Sequence, residues 1–194
     1  MQLILASTSA ARQEMFCSAG IEAQFIASGV DEAILKAGFT GPPPELALAL
    51  AQAKAAAVAQ AHPAGFVIGA DQLLVCNGNI FDKPTDLAEA ATHLRALSGR
   101  VHELITAVCV LQGDTVLWTH VESARLTVRP LSEAFIASYL TMEGAKILGC
   151  VGAYRLEGPG AQLFEHVEGD YFTILGLPLL PLLGFLRGLG ALAG

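Results

Sequence analysis

One apolar run sets the architecture of the chain: Phe66-Val-Ile-Gly-Ala-Asp-Gln-Leu-Leu-Val75, which carries one acid and one amide, Asp71 and Gln72, at its centre. A run this apolar predicts a strand that is buried in the core. Asn77-Gly78, which follows it, is a strong signal for a tight hairpin turn. We therefore expect residues 79 to 81 to return beside this strand.

Asp71 is the unusual residue of this run. An ionised carboxylate inside a buried strand costs several kcal/mol unless a cation or hydrogen bonds compensate it. Asp71 is therefore either a structural peculiarity or part of a site, and the frequency of buried acids at functional sites favours the second. Lys83, in Phe81-Asp82-Lys83-Pro84 just beyond the turn, is a candidate partner.

Length and composition predict one globular domain. A chain of 194 residues is long enough for a sizeable core and is expected to form a single domain, or a single domain with two lobes. Hydrophobic residues make up 53% and charged residues 15%, which argues against disorder. The net charge of -7 disfavours a protein that binds nucleic-acid backbones, because such proteins usually carry a basic face.

The cysteines and the chain ends favour the cytoplasm. Cys17, Cys76, Cys109 and Cys150 have no CxxC or Cys/His ligand spacing, so we expect buried free thiols in a reducing compartment. The apolar start lacks a basic segment and is not typical of a signal peptide. The apolar run 174–192 is interrupted by prolines, glycines and one arginine, which favours a buried strand, turn and helix over a membrane span.

The N-terminal segment predicts a strand, a turn and a helix. Leu3-Ile-Leu-Ala6 is apolar, Ser7-Thr-Ser9 follows, and an amphipathic pattern then runs to Gly20. The free backbone N–H groups at such a helix start suit a phosphate, and Arg12, one turn in, could reach the same anion. The alternative is that Ser7 or Ser9 simply caps the helix, which is the commoner use of a hydroxyl there.

The rest of the chain alternates between strands and helices, which predicts a mixed α/β fold. The patterns indicate a strand at 25–27, a helix at 45–61, a capped helix at 86–97, strands at 101–111 and 118–126, a helix at 132–139, and an apolar strand, a turn and a closing helix within 172–183.

Three charged residues along the chain allow two interpretations each. Lys54 in the alanine-rich helix is either a solubilising surface residue or part of a site. Glu32 follows Val30-Asp31 and is either a turn residue or a weak candidate metal ligand. Glu157, before Gly158-Pro-Gly160, is either a loop charge or a recognition group.

Several common site motifs are absent from the sequence: GxxxxGK[ST], strand-GxGxxG-helix, GxSxG and HExxH. A P-loop NTPase, a Rossmann dehydrogenase, a serine hydrolase and a zincin therefore lose their main support. Cations that hold phosphates and carboxylates that hold a divalent ion remain, and these are the parts of a metal-assisted phosphoanhydride hydrolase. They are Arg12, Lys54 and Lys83 on the cationic side and Glu32 and Asp71 on the acidic side.

These residues lie in motifs that resemble the Maf proteins, nucleoside triphosphate pyrophosphatases also described as inhibitors of septum formation. Each motif is weak alone, but seven in family order across most of the chain form a strong resemblance. The motifs are Leu3-Ile-Leu-Ala-Ser-Thr-Ser9 with Arg12, Val30-Asp-Glu32, Leu50-Ala-Gln-Ala-Lys-Ala55, Gly69-Ala-Asp71, Lys83-Pro84, Leu97-Ser-Gly-Arg-Val-His102, and Gly169-Asp-Tyr171 with Gly176-Leu-Pro178.

The resemblance implies one Maf-like domain over 1–194, with a mixed twisted sheet, flanking helices and two lobes around a central cleft, similar to inosine triphosphate pyrophosphatases. It implies hydrolysis between the α and β phosphates of a nucleoside triphosphate, with a divalent ion, Mg²⁺ or alternatively Mn²⁺, and a homodimer. Position by position, Asp71 matches the proton acceptor and, with Glu32, the metal site. The matches to the phosphate-binding set are Ser7, Ser9, Arg12, Lys54 and Lys83.

The chain departs from the commonest Maf pattern at three places that concern the base. Ala10-Ala11 stands where proline and arginine are usual, Gln72 where the dTTP- and UTP-preferring group has threonine, and Glu157 where that group has glutamine. Gln72 with Glu157 is more similar to the branch that includes 7-methyl-GTP pyrophosphatase. A carboxylate at 157 could accept hydrogen bonds from the N1–H and amino groups of guanine.

The first hypothesis is thus a cytoplasmic Mg²⁺-dependent pyrophosphatase that clears modified or non-standard nucleoside triphosphates. A narrow 7-methyl-GTP pyrophosphatase is the alternative within enzymes. A nucleotide-binding regulator of septum formation is the alternative of another class, and the joint presence of Asp71, Glu32, Lys54 and Lys83 favours the enzymes over it.

Overall fold

The computed structural model describes residues 2–192 and contains strands and helices in alternation, which confirms the mixed α/β class. In chain order the strands β1 to β7 are Leu3–Leu5, Gln24–Phe25, Phe66–Cys76, Asn79–Phe81, Val101–Gln112, Thr115–Val128 and Phe164–Glu168. The helices α1 to α7 are Ala10–Ser18, Glu32–Gly38, Pro43–Ala59, Leu87–Leu97, Glu133–Glu143, Tyr171–Ile174 and Leu179–Gly188. Short 3-10 helices occupy Gly144–Gly149, Val151–Ala153 and Pro159–Leu163.

The described chain forms two compact units, as expected for a two-lobed protein. The first comprises residues 2–72, 106–122 and 171–192, and the second residues 73–105 and 123–170. In the first unit the strand order is β2-β1-β3-β5-β6, and β1 pairs in parallel with both β2 and β3. In the second unit the order is β4-β3-β5-β6-β7, with β4 antiparallel to β3 and β7 antiparallel to β6.

The first unit is a helix–sheet–helix sandwich whose two faces follow from the alternation of β3. Phe66, Ile68 and Ala70 point into an apolar core shared with α1 and α7. The residues between them face the other way, where α3 packs. Gly69 permits this packing, because a Cβ there would overlap the Ala51 carbonyl oxygen of α3 and approach the Ala55 nitrogen to 2.7 Å.

Local signals in the second unit are confirmed at the β3–β4 hairpin and at the start of α4. Asn77 and Gly78 adopt φ of 51° and 79°, as a type I′ hairpin requires, and β4 returns beside β3. Asp86 caps α4 by accepting a hydrogen bond from the Glu89 backbone N–H at 2.8 Å. Glu89 in turn accepts from the backbone N–H of Thr85, one residue before the cap, at 2.7 Å.

The sequence expectations were wrong at three segments. Residues 172–175 were expected as a strand, but they lie in and just after the short helix α6; a short apolar run cannot distinguish a helix from a strand by periodicity. Helix α2 replaces the expected turn at Glu32 because Asp31 caps it. Strand β7 was not expected, since four of its five residues are exposed and lack an alternating pattern.

The cysteine thiols and the apolar C-terminal run can also be compared with what the sequence predicts. Cys76 and Cys109 are buried and Cys150 is partly buried, but Cys17 is exposed, which contradicts the expectation of four buried thiols. Cys17 lies in the last turn of α1, on the face opposite the core. Among the helices within residues 2–192, none is both long enough and apolar enough to span a bilayer.

Gly69→Ala tests the contact between α3 and β3. The added methyl group would push α3 away from β3, so we expect a loss of at least about 2 kcal/mol in the free energy of unfolding, measured in urea. Gly184→Ala is the matched control: this helical glycine has open space around its Cβ position, and the substitution should stabilise by up to about 1 kcal/mol. Equal effects at the two positions would contradict the close approach at Gly69.

His102→Gln tests a buried histidine of the second unit. His102 is 2% exposed, its Nε2 lies 2.6 Å from the Tyr154 hydroxyl, and burial lowers its pKa from 6.5 to about 4. Between these two values the unfolded chain binds a proton that the folded chain does not, so stability falls as the pH falls from 6.5 to 4.

The wild type should therefore lose about 3 kcal/mol more between pH 7 and pH 4 than His102→Gln, measured as the free energy of unfolding at each pH. His166→Gln, at a side chain that is 65% exposed, should reproduce the wild-type pH dependence. A wild-type slope in His102→Gln would contradict the neutral, buried imidazole.

Candidate active site

Asp71 and Lys54 form the centre of the site in the first unit. Strand alternation turns Asp71 toward α3, on the same face as Gly69, and Lys54 lies on α3 between Ala51 and Ala55, which contact Gly69. The Lys54 Nζ is 2.5 Å from the Asp71 Oδ1. Both residues are buried, at 8% and 5% exposure, so the interpretation of Lys54 as a surface residue was wrong.

Glu32 completes this group of charges. It occupies the first position of α2, and its Oε1 lies 2.7 Å from the Lys54 Nζ. One ammonium group thus contacts two carboxylates. We call Asp71 and Glu32 the acid pair; together with Lys54 they carry a formal net charge of -1. Glu32 is partly exposed, whereas Asp71 depends on Lys54 for its compensation.

One oxygen of Asp71 has no hydrogen-bond partner among residues 2–192. Its Oδ2 is buried and accepts no hydrogen bond from the residues that the structure describes. A buried carboxylate oxygen without a donor is costly in a purely structural setting, since buried polar atoms are nearly always satisfied. The atom is therefore placed to accept a proton or to contact a cation or water.

Arg12 lies behind this cluster and is engaged by the backbone. Its Nε donates to the Gly176 carbonyl oxygen at 2.6 Å and its Nη1 to the Ala70 carbonyl oxygen at 3.0 Å. Burial lowers the pKa of the guanidinium, and the charges of Asp71 and Glu32 oppose that shift. Arg12 therefore remains a cation in the field of the acid pair and ties the turn at Gly176 to the residue before Asp71.

Gln72, on the opposite face of β3 from Asp71, is anchored by its amide nitrogen. That nitrogen contacts the Thr173 and Ile174 carbonyl oxygens at 2.9 and 3.1 Å and the Thr106 hydroxyl oxygen at 3.0 Å. Thr106 itself donates to the Thr173 carbonyl at 3.0 Å. Carbonyls only accept hydrogen bonds, so the orientation of the amide is defined and only its oxygen is left for a ligand.

The serines at the start of α1 do not cap the helix with their side chains. Ser9 occupies the N-cap position but its side chain makes no capping hydrogen bond. The Ser7 hydroxyl oxygen instead accepts from the Ser9 backbone N–H at 3.2 Å. The capping interpretation of these hydroxyls was therefore wrong, and Ala11 lies half-buried in the first turn of the same helix.

Lys83 and Glu157 belong to the second unit, where they share a neighbourhood. Burial raises the pKa of the Cys150 thiol to about 11; Glu157 adds to this shift, while Arg155 and Lys83 oppose it. Both Lys83 and Glu157 are exposed. In the first unit, the structure gives Asp71 the Lys54 ammonium as a partner.

Two residues near Glu157 were missed by sequence reasoning. Glu143 is buried and holds Arg155, whose Nη1 lies 3.9 Å from the Glu157 Oε1. The available signals were an acid at the end of a helical pattern, directly before Gly144, and an arginine two residues before Glu157.

The comparisons with known proteins cover almost the whole chain. The family model described as Maf-like protein matches residues 2–189. The chain belongs to the Maf-like protein family. A nucleoside triphosphate pyrophosphatase of Granulibacter bethesdensis is 51% identical over 190 residues, which is 96% of each protein. A 7-methyl-GTP pyrophosphatase of Rhizobium meliloti is 49% identical over 193 residues, 98% of this chain and 97% of that protein.

One similar solved structure is that of a nucleoside-triphosphatase, a dITP/XTP pyrophosphatase, from Mycobacterium abscessus. The match covers 97% of this chain and 98% of that protein, with a TM-score of 0.41 and 15% sequence identity. The resemblance of this Maf-like chain to its family, expected from seven motifs, is thus confirmed by the family model and by full-length relatives at about half identity.

Lys54→Met tests the compensation of Asp71. Methionine keeps the length of the side chain and its helix propensity but leaves the buried carboxylate without its cation, so we expect a loss of about 3–5 kcal/mol in the free energy of unfolding. Lys36→Met is the control, because the Lys36 Nζ lies 3.8 Å from the partly exposed Glu32 and the change should cost less than about 1 kcal/mol. Urea unfolding at neutral pH measures the free energy of unfolding of both variants. Equal losses would contradict the assignment of Lys54 as the cation that compensates Asp71.

Proposed function

We propose that the chain is a nucleoside triphosphate pyrophosphatase, which hydrolyses the α–β phosphoanhydride and releases a nucleoside monophosphate and pyrophosphate. The observation that supports this most is the buried Asp71, whose Oδ1 contacts Lys54 and whose Oδ2 has no partner within residues 2–192. Full-length relatives named for this reaction support the same proposal.

Asp71 is suited to act as the general base. Lys54 contacts only the Oδ1, so the Oδ2 can accept a proton from a water molecule aligned with the α-phosphorus. The water oxygen then forms a bond to that phosphorus while the bond to the bridging oxygen breaks, and the electron pair leaves with pyrophosphate. Lys54 compensates the charge of Asp71 through the Oδ1 and so fixes the direction of the Oδ2.

The phosphates would meet cations and backbone N–H groups of the first unit. Within residues 2–192 the start of α1 has no side-chain cap, which leaves its first N–H groups available to an anion. Ser7 and Ser9 border this helix start, while Lys54 and Arg12 supply positive charge around Asp71. Lys83 is proposed as a further phosphate-binding cation, on the basis of its matching position in the family motif.

The acid pair with Lys54 fits a magnesium ion. Within residues 2–192 there is no cluster of three or more His, Cys, Asp or Glu side chains that could hold a metal alone. Mg²⁺ prefers a few carboxylate oxygens, with water and phosphate oxygens completing its coordination shell. Asp71 and Glu32 match this preference better than the nitrogen and sulfur ligands that zinc prefers. When bound there, Mg²⁺ or Mn²⁺ would supply charge neutralisation for the triphosphate.

Base selection is proposed for Ala11, Gln72 and Glu157. Alanine at position 11 widens the space where other family members carry a longer side chain, and Gln72 can offer only its amide oxygen. Glu157, which is exposed, can accept hydrogen bonds from the N1–H and amino groups of a guanine. Relatives named 7-methyl-GTP pyrophosphatase at 49% identity favour a 7-methyl-GTP-selective enzyme as the second candidate.

The setting of the reaction is also a proposal. Four free cysteines support the cytoplasm, where thiols stay reduced, and the net charge of -7 supports a small-molecule substrate instead of nucleic acid. The homodimer implied by the family, the absence of a membrane partner and a house-cleaning role toward non-standard nucleotides remain predictions.

A hydrolysis assay with Asp71→Asn tests this function. Common, methylated and deaminated nucleoside triphosphates are incubated with Mg²⁺, and pyrophosphate, monophosphate and orthophosphate are measured separately. The wild type should release pyrophosphate from a subset of bases, and Asp71→Asn should lower kcat by about 10²- to 10⁴-fold because it removes the general base. Asp114→Asn, the same substitution at an exposed turn, is the control and should keep full activity.

Orthophosphate as the first product would contradict attack at the α-phosphorus. No turnover of any nucleotide by a folded wild type would contradict the enzyme and favour a nucleotide-binding regulator of septum formation. Undiminished turnover in folded Asp71→Asn would contradict the assignment of the base.

A further inference from the structure

The C-terminal end of α5 contains a buried acid that the proposed reaction does not use. Glu143 is the last residue of this helix, and its side chain is 1% exposed. The C-terminal end of a helix disfavours negative charge, and burial disfavours it further. A carboxylate in this position requires a strong partner, and the partner shows what the residue does.

That partner is Arg155. Its Nε donates to the Glu143 Oε2 at 2.8 Å and its Nη2 to the Glu143 Oε1 at 3.4 Å, so the guanidinium engages both oxygens. Its third nitrogen, Nη1, lies 3.9 Å from the Glu157 Oε1. Arg155 therefore stands between two carboxylates, one buried and one exposed, and the buried one takes the closer contacts.

The turn that carries Glu157 is built tightly around this pair. The Gly158 N–H donates to the Arg155 carbonyl oxygen at 3.2 Å. A Cβ at Gly158 would lie 3.0 Å from the Arg155 Nη2 and 3.3 Å from the Glu143 Oε1, and a Cβ at Gly160 would overlap the Arg155 carbonyl oxygen. The course of the backbone on both sides of Glu157 thus depends on where Arg155 is held.

We propose that Glu143 is a positioning residue for base recognition: it binds the Arg155 fork so that the turn 155–160 presents Glu157 with its carboxylate free for the base. This inference rests on the proposed function, in which Glu157 contacts the base. Without the Glu143 charge, the guanidinium would pair with Glu157 instead and occupy the oxygens that a guanine would use. Glu143 acts through Arg155 and touches no substrate.

The test is Glu143→Gln, which keeps the shape of the side chain and removes its charge. The selectivity for 7-methyl-GTP over UTP, the ratio of their kcat/KM values, should fall about tenfold, as expected for loss of a hydrogen bond to a charged group. The fall should come from a raised KM for 7-methyl-GTP with kcat little changed. Glu133→Gln is the matched control, since Glu133 binds Arg95 through both oxygens at 2.8 Å on the exposed surface, and it should leave the ratio unchanged.

Two further variants separate positioning from a general loss of stability. Arg155→Lys keeps the charge but lacks the fork, so it should also lower the selectivity, and it serves as the test if Glu143→Gln does not fold. Glu157→Gln should lower the ratio by itself, and adding Glu143→Gln to it should cause no further change, because both act through the same carboxylate.

A selective wild type whose ratio is unchanged in folded Glu143→Gln and Arg155→Lys would overturn the positioning role alone. So would a double variant in which the two losses add. A wild type that hydrolyses neither nucleotide would overturn the proposed function first, and the positioning role with it.

Discussion

The contact between the Lys54 ammonium and the Asp71 carboxylate is the interaction on which the first unit depends. Asp71 lies in the buried central strand, where an uncompensated charge would be among the most costly features that the chain could carry. The compensation requires α3 to lie against β3, and Gly69 allows the close approach. The same glycine that permits the packing thus brings the cation to the acid two residues further along the strand.

The alternation of β3 assigns different tasks to neighbouring residues. Asp71 points toward α3 and the charged cluster, whereas Gln72 points to the other face and is anchored by backbone carbonyls near the end of α6. Arg12 connects the same turn, through Gly176, to the Ala70 carbonyl. The residues on either side of Asp71 are therefore held by backbone carbonyl oxygens at the end of α6 and at Gly176, which stiffens the strand around Asp71.

Much of this arrangement could be predicted from the sequence, and the failures have physical causes. The buried strand, its hairpin and the need of Asp71 for a compensating partner follow from an apolar run, an Asn-Gly pair and one charge within that run. The role of Lys54 could not be read from its helix, because an isolated lysine among alanines looks like a solvated residue until packing shows which face is buried. The strand expected at Phe172 failed because its short apolar run fits either structure. The pairing of Glu143 with Arg155 depends on a chain reversal through short 3-10 turns, which no periodicity reveals.

The two buried acids use different cations, and the difference matches their proposed tasks. Lys54 is a compact charge that contacts one oxygen of Asp71, and the other oxygen has no partner in the part of the chain that the structure describes. An arginine fork there would engage both oxygens and leave neither for the proposed proton transfer. Arg155 does engage both oxygens of Glu143, which suits an acid whose task is to hold a position instead of reacting. A general base needs a partner that compensates its charge and still leaves one lone pair open to a proton. An acid that positions another residue holds it more firmly when both of its oxygens are bound.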